Sequence, residues 1–536
     1  MSARILPTLL LVAACATRSA APARALDIAY RVAMPEPASH LYEVQLDVGG
    51  LARGEAVSLQ LPVWSPGRYA RMDFARNVQA FRAESPEGQA LAWTKSGGST
   101  WRVGPTTGDR LRVRYRVFAN DLSGTFSVLD TAHANWNGAA LFMYVEGYKP
   151  NQVRLTIAPP AGWRVMNGYV GTALNPRPNE FTFPTYDHMI DAPTEVSANF
   201  VVDSFTVHGV LYRVMTHANG GEASMRGQRA RFVGDVEKVV RYQNGVIAPP
   251  PIPSYTFLVH LGYGGGDGME HLTSTQVITS GTWTDTATVL PALNTASHEF
   301  FHVWNVKRIR PAALGPFDYT DVVHQPSLWV AEGWTNYYGN ASLHRAGIVS
   351  REAFYAMMAG RARSVSETPA RKERSARQAS FDAPFFDGAA TPMRTNAANT
   401  FLTYYWKGEA LAWLLDLEIR GRTGNRRSLD DALRLLKERT WDAPRASYYL
   451  QGRGYTEQDV ERAVSDAAGA DLHPWFERYV GGVEDLPWNE TLARAGLRLA
   501  IAGEGPSPAY RLAEAPDATP EQLRVREGWL RGTTTP

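Results

Sequence analysis

The chain has 536 residues, 44% hydrophobic and 20% charged, and its 55 basic and 53 acidic residues nearly cancel. This near-average globular composition excludes a disordered, collagen-like or coiled-coil chain, and the charge balance leaves no electrostatic footprint for nucleic acid. A single cysteine excludes an internal disulfide and any metal site built on several thiolates.

Arg4 precedes an apolar run from Ile5 to Ala14, and small residues follow as far as Ala25. That order predicts a signal peptide over residues 1–25, because the run falls short of the roughly 20 apolar residues a membrane-spanning helix needs. Two processing sites compete. Ala23-Arg24-Ala25 has the A-x-A form and would leave Leu26 first, whereas Val12-Ala13-Ala14-Cys15 has the form of a bacterial lipobox and would make Cys15 a lipid anchor. Removing residues 1–25 takes away three arginines and no acid, leaving 52 basic against 53 acidic residues. The expectation is an exported protein, periplasmic or secreted, with no transmembrane span.

Residues 26–203 carry a period of two. Tyr42, Val44, Leu46 and Val48 alternate with polar neighbours, as do Val57, Leu59, Leu61 and Val63. Such runs, separated by Gly, Pro and Asn clusters, predict an antiparallel β-sandwich domain. Arg110, Arg112, Arg114 and Arg116 alternate with Leu111, Val113, Tyr115 and Val117, which reads as the solvated face of one strand.

Residues 204–488 change character. Strand-like runs Phe205–Val214 and Tyr255–Leu261 precede helical patterns over Leu290–Val306, Leu328–Tyr338 and Tyr404–Arg420. Ser428-x-x-Asp431 and Thr456-x-x-Asp459 are capping boxes that open two more helices. Arg361–Arg394, biased toward Ser, Ala, Pro and Arg, reads as a long surface excursion, and residues 489–536 read as a tail.

The sharpest chemical signal is His298-Glu299-Phe300-Phe301-His302. Histidines at i and i+4 share a helix face and can hold one Zn²⁺, while the glutamate between them can take a proton from an activated water. Leu290, Leu293, Phe301 and Trp304 supply an apolar face, and Lys307, Arg308 and Arg310 follow where cations oppose the helix dipole. Alone, the motif is equally compatible with two core histidines flanking a paired glutamate. Glu332, an acid in the apolar stretch Leu328–Thr335, supplies the third ligand and leaves a fourth position open. Asn336, one turn on, either orients a ligand imidazole or makes ordinary solvent bonds.

Gly264–His271 does not match the dinucleotide-binding pattern. Lying between the strand ending at Leu261 and the strand-like Thr273–Ile278, it can form an edge that holds a peptide, with Glu270 receiving an α-ammonium group. The competing reading is a glycine turn with a solvated acid. Tyr404 and Tyr405, at a helix start, read on residues alone as core aromatics.

The chain resembles the glycyl aminopeptidase family of zinc metallopeptidases, family sixty-one in the gluzincin clan. The resemblance runs through Pro62-Val63-Trp64-Ser65-Pro66-Gly67, Gly268-Met269-Glu270-His271, His298–Pro311 (HEFFHVWNVKRIRP), Trp329–Tyr338 (WVAEGWTNYY), Tyr404–Gly408 and Ser428–Leu433. It implies an α+β protein whose β-sandwich precedes a mostly helical, thermolysin-like catalytic domain with a small edge-strand sheet. It also implies one zinc held by His298, His302 and Glu332, with Glu299 as general base. Gly268, Met269 and Glu270 would bind the substrate amine, and Tyr405 would donate to the oxyanion. His271 stands where the wider aminopeptidases have asparagine. The family commonly ends in a PDZ-like domain, and residues 489–536 could hold only an incomplete remnant. The expected activity is removal of small N-terminal residues, Gly or Ala, from peptides. The alternatives are a zinc endopeptidase, an aminopeptidase of other specificity, and a binding protein with a vestigial site.

Overall fold

The structure is a computed structural model that describes residues 24–169, 177–387, 396–503 and 508–532. Of the leader read over residues 1–25, only Arg24 and Ala25 lie inside the described residues, and Cys15 lies outside them.

The alternating N-terminal third forms three sheets. Asp27–Ala33, Leu41–Gly49, Val78–Glu84, Arg110–Phe118, Val153–Ala158 and Glu180–Phe183 make a six-stranded sheet. Its neighbours are antiparallel except Asp27–Ala33 with Val153–Ala158, a parallel pair that the alternation alone does not reveal. Tyr42, Val44, Leu46 and Val48 are buried on its inner face. Two four-stranded sheets cover that face through the Phe81–Trp101 and Tyr42–Trp136 ring contacts. The arginine comb lies on the outer face, where Arg112 meets Asp47 (2.6 Å) and Arg116 meets Glu43 (2.9 Å) across the strands. These are half-exposed surface pairs that contribute little.

A five-stranded sheet follows, in the order Val201–Val207, Val210–Ala218, Ser254–Leu261, Ser274–Thr279, Gly266–Glu270. The three middle strands run parallel, and Gly266–Glu270 is an antiparallel edge. Helix Val289–Phe301 packs on this sheet, Phe300 meeting Tyr212, Tyr255 and Phe257. The helix is shorter than its pattern. His302 caps it, Trp304–Ile309 continues as turns, and Leu290 is exposed rather than part of the apolar face.

The remaining helices, among them Thr335–Arg345, Arg351–Glu367, Leu429–Thr440 and Glu457–Ala468, surround the almost wholly buried helix Tyr404–Thr423. Both capping boxes form as their sequences require. The chain is thus α+β, β-rich at its N-terminal end and helical toward its C-terminus.

Two stretches are more structured than their composition implies. Of Arg361–Arg394, residues up to Asp387 are described and include the end of Arg351–Glu367 and the short helices Ala376–Phe381 and Ala383–Phe386. Ala362, Ala370, Ala376, Ala379 and Ala383 are buried there, and Arg361 reaches Glu409 (2.5 Å). Alanine hides core contact well, because it leaves no long apolar run to read. The described residues between 489 and 532 are likewise no loose tail. A hairpin, Leu497–Ala502 with Ala509–Glu514, leads into helix Pro520–Arg531, whose Trp529 is fully buried and donates to Tyr337 Oη (3.0 Å). Among the described residues no helix is long and apolar enough to cross a membrane.

Candidate active site

The last turn of helix Val289–Phe301 aims His298 and His302 at one point, their Nε2 atoms 2.9 Å apart. Glu332 Oε2 stands 3.4 Å from each. Tetrahedral zinc ligands at 2.0–2.1 Å lie roughly 3.3 Å from one another, so these three donors suit a divalent cation. His302 Nδ1 donates to the Asn305 carbonyl (2.6 Å), which leaves Nε2 as the free lone pair. Asn305 in turn donates to the Val330 carbonyl (2.9 Å) and to Thr335 Oγ1 (3.1 Å), tying the turn after His302 to the segment that carries Glu332.

That segment, Trp329–Trp334, is a wide π-type helical turn running directly into Thr335–Arg345. Such turns are rare in helices and frequent at functional sites. Its Gly333 lies against Gly408 of helix Tyr404–Thr423, where a Cβ on either glycine would collide with backbone. This glycine-on-glycine crossing brings Tyr405 beside the site, its ring centroid 6.2 Å from that of His298.

The electrostatics favour a cation. Three buried carboxylates, Glu270, Glu299 and Glu332, face two imidazoles. Burial lowers the His302 pKa, but the Glu332 and Glu270 charges overcome this and raise it to about 10. Burial raises Glu332, yet His302 and His298 pull it well below the usual carboxylate range. Glu299 is held well above its usual value by burial, and its Oε2 has no hydrogen-bond partner among the described residues. An unpartnered carboxylate oxygen beside convergent donors fits a metal with a water to be deprotonated.

Within Gly264–His271, residues Gly266–Glu270 form an edge strand and Glu270 is buried rather than solvated. A Cβ on Gly268 would collide with Glu299 Oε1, so the missing side chain lets the strand lie against that acid. Met269 and Glu270 are buried, and acceptor oxygens of Glu270 and Glu299 lie within 4.8 Å of a His302 ring nitrogen. His271 Nδ1 reaches Asp191 Oδ1 (3.2 Å), which also takes Lys307 Nζ (2.7 Å). Lys307, Arg308 and Arg310 are therefore not exposed dipole partners. They are buried, and Lys307 ties the site to the β-domain.

The β-domain also reaches the site directly. Tyr69 Oη donates to Glu332 Oε1, and Arg68 pairs with Asp267 and donates to the Gly268 carbonyl (3.2 Å). Arg68, Tyr69, Asn305 and Thr335 were not singled out by the sequence. The only signal near the first two is Pro62–Gly67, which stops one residue short of Arg68. Asn336 makes no bond to a ligand imidazole among the described residues. It lines a mostly apolar cavity of about 660 Å³ beside Tyr405, Phe386 and Phe401.

Comparison with known proteins agrees with this geometry. Residues 29–198 match the Peptidase M61 N-terminal domain and residues 291–411 the M61 glycyl aminopeptidase domain. Comparison with curated protein sequences gives no match. Among solved structures, an aminopeptidase N family protein from Idiomarina loihiensis is 25% identical with a TM-score of 0.78, over 88% of this chain and 79% of that one. The M1 zinc metallopeptidase from Deinococcus radiodurans shares the fold at 18% identity and a TM-score of 0.50, over 87% of this chain and 96% of that one. The chain belongs to the M61 glycyl aminopeptidase family and is a zinc metallopeptidase of the aminopeptidase type.

Proposed function

We propose that the protein is an exported aminopeptidase that removes one small residue, Gly or Ala, from the free N-terminus of a peptide. The observation that carries this is the closeness of Glu270 to His302 and Glu299, within 4.8 Å. The nitrogen and carbonyl carbon of one residue are only about 2.5 Å apart. An ammonium held at Glu270 therefore puts the first carbonyl, and no later one, at the donor set. The cavity beside Glu270, walled by Pro66, Tyr69, Leu314 and Phe317, measures about 20 Å³. That is room for about one water or methyl, which supports a small first side chain.

His298, His302 and Glu332 would hold the zinc, with Tyr69 steadying Glu332. When bound, the metal supplies a Lewis acid that polarises the scissile carbonyl and makes water acidic enough to be deprotonated near neutral pH. Glu270 fixes the substrate ammonium. Glu299 takes the proton from the attacking water and delivers it to the leaving amine. Tyr405 donates a hydrogen bond to the carbonyl oxygen as it gains charge. The rest of the peptide leaves past Tyr405 toward the apolar cavity.

The test compares Ala-arylamide with its N-acetylated form, using wild type and zinc-loaded Glu299→Gln. The expected result is hydrolysis of the free amine only, lost at least 10³-fold in Glu299→Gln with zinc content unchanged. Cleavage of the acetylated substrate would replace this reading with an endopeptidase. Equal activity of Glu299→Gln would remove the general base. The export reading rests on the leader over residues 1–25, and the mature N-terminus decides between Leu26 and lipidated Cys15.

A further inference from the structure

A second group of metal-type side chains lies where the β-domain meets the five-stranded sheet. His133 and Glu195 stand on paired neighbouring strands of the β-domain, and His217 and His260 are cross-strand partners in the catalytic sheet. His133, Glu195 and His260 are 0% exposed and His217 is 2% exposed. Glu195 Oε1 is 3.2 Å from His133 Nδ1 and 3.4 Å from His217 Nδ1, and Oε2 is 3.0 Å from His260 Nε2. Donor atoms of His133, Glu195 and His260 lie within 4.8 Å of one another.

We propose that this cluster is a second zinc-type divalent cation site, structural rather than catalytic, that clamps the β-domain to the catalytic sheet. It does not depend on the function proposed above. A carboxylate so deeply buried needs a balancing positive charge, and neutral imidazoles supply hydrogen bonds but no charge. Imidazole and carboxylate are zinc donors, and His133, His260 and Glu195 supply three, while His217, stacked on the His133 ring (centroids 4.3 Å apart, planes within 10°), flanks the set. The three donors are wholly buried, which leaves a substrate no path to them and makes the site structural. The outer nitrogens are also held. Tyr263 Oη lies 3.1 Å from His133 Nε2, the type of outer contact that orients a ligating histidine, and 3.0 Å from Nε2 of the neighbouring His217. The competing arrangement has no cation. His133 would then carry a proton beside Glu195, whose charge outweighs the burial that opposes it and raises the His133 pKa.

Zinc counting on the tag-free, full-length protein separates the two. The protein would be equilibrated in a zinc buffer and its metal measured by plasma mass spectrometry. The expected result is two zinc ions per chain in wild type and one in His302→Gln. His260→Gln should also hold one, while keeping Ala-arylamide hydrolysis. One zinc in wild type and none in His302→Gln overturns the proposal. One zinc in wild type that survives His302→Gln upholds this site and overturns the catalytic ligand assignment instead. If His260→Gln fails to fold, the wild-type and His302→Gln counts still decide.

Discussion

A methyl group at Gly268 has nowhere to go but into Glu299 Oε1. The glycine thus sets how close the edge strand carrying Glu270 comes to the acid between the two histidines. Displacing a reacting group by about 1 Å can cost on the order of 10²-fold in rate. Gly268→Ala should therefore lower kcat about 10²-fold while zinc content and unfolding midpoint stay near wild type; unchanged kcat would show that the strand yields freely. Tyr69 acts through its hydrogen bond to Glu332 Oε1. Loss of such an outer contact typically weakens metal binding or activity 10–100-fold. Tyr69→Phe should release zinc to a competing chelator at correspondingly lower chelator concentration, and identical affinities would remove Tyr69 from the metal site.

The elements that present these residues were unequally legible. His298, Glu299 and His302 declare themselves because helical spacing puts i and i+4 on one face, and Glu332 because an acid in an apolar run needs a partner. Tyr69 could not be found this way, since its loop meets Glu332 across 263 residues of sequence and only the folded interface joins them. The capping boxes were legible because they are local, four-residue devices. The short helices Ala376–Phe381 and Ala383–Phe386 and the elements beyond Trp488 were not, because short alanine-rich or mixed segments acquire their buried face only from neighbours. The π-type turn at Trp329–Trp334, where Gly333 lies against Gly408, also escaped the sequence. That contact gives an element-scale prediction. Gly333→Ala forces side-chain volume into backbone, and overpacking of this kind typically costs about 1–3 kcal/mol. Urea unfolding should report that loss together with reduced zinc retention, since Glu332 precedes the displaced residue; full stability would mean the two helices separate at little cost.

At the scale of the molecule, the β-domain completes the site as well as adjoining it. Asp191, just beyond helix Tyr186–Ile190, accepts from Lys307 Nζ, from His271 Nδ1 and from the Leu272 backbone N–H. It thereby joins the stretch after His302 to the residue after Glu270. Burial alone raises the Asp191 pKa, but Lys307 and His271 reverse that and bring it to about 2. A carboxyl whose folded value is depressed stabilises fully above its unfolded value of about 4, and loses that stabilisation as pH falls through about 2. The shift corresponds to on the order of 2 kcal/mol. Asp191→Asn removes the charge at every pH and leaves Lys307 buried without its partner, a change that costs about 3–5 kcal/mol in comparable pairs. The stability gap between wild type and Asp191→Asn, read from the first urea transition, should therefore be constant from pH 7 down to about 5. Between about pH 4 and pH 2 it should narrow by about 2 kcal/mol, because only the wild type has a carboxylate to protonate. A gap that stays constant to pH 2 would mean that the Asp191 charge does not hold the domains together, leaving the junction to its apolar contacts and to the His133–Glu195–His260 cluster.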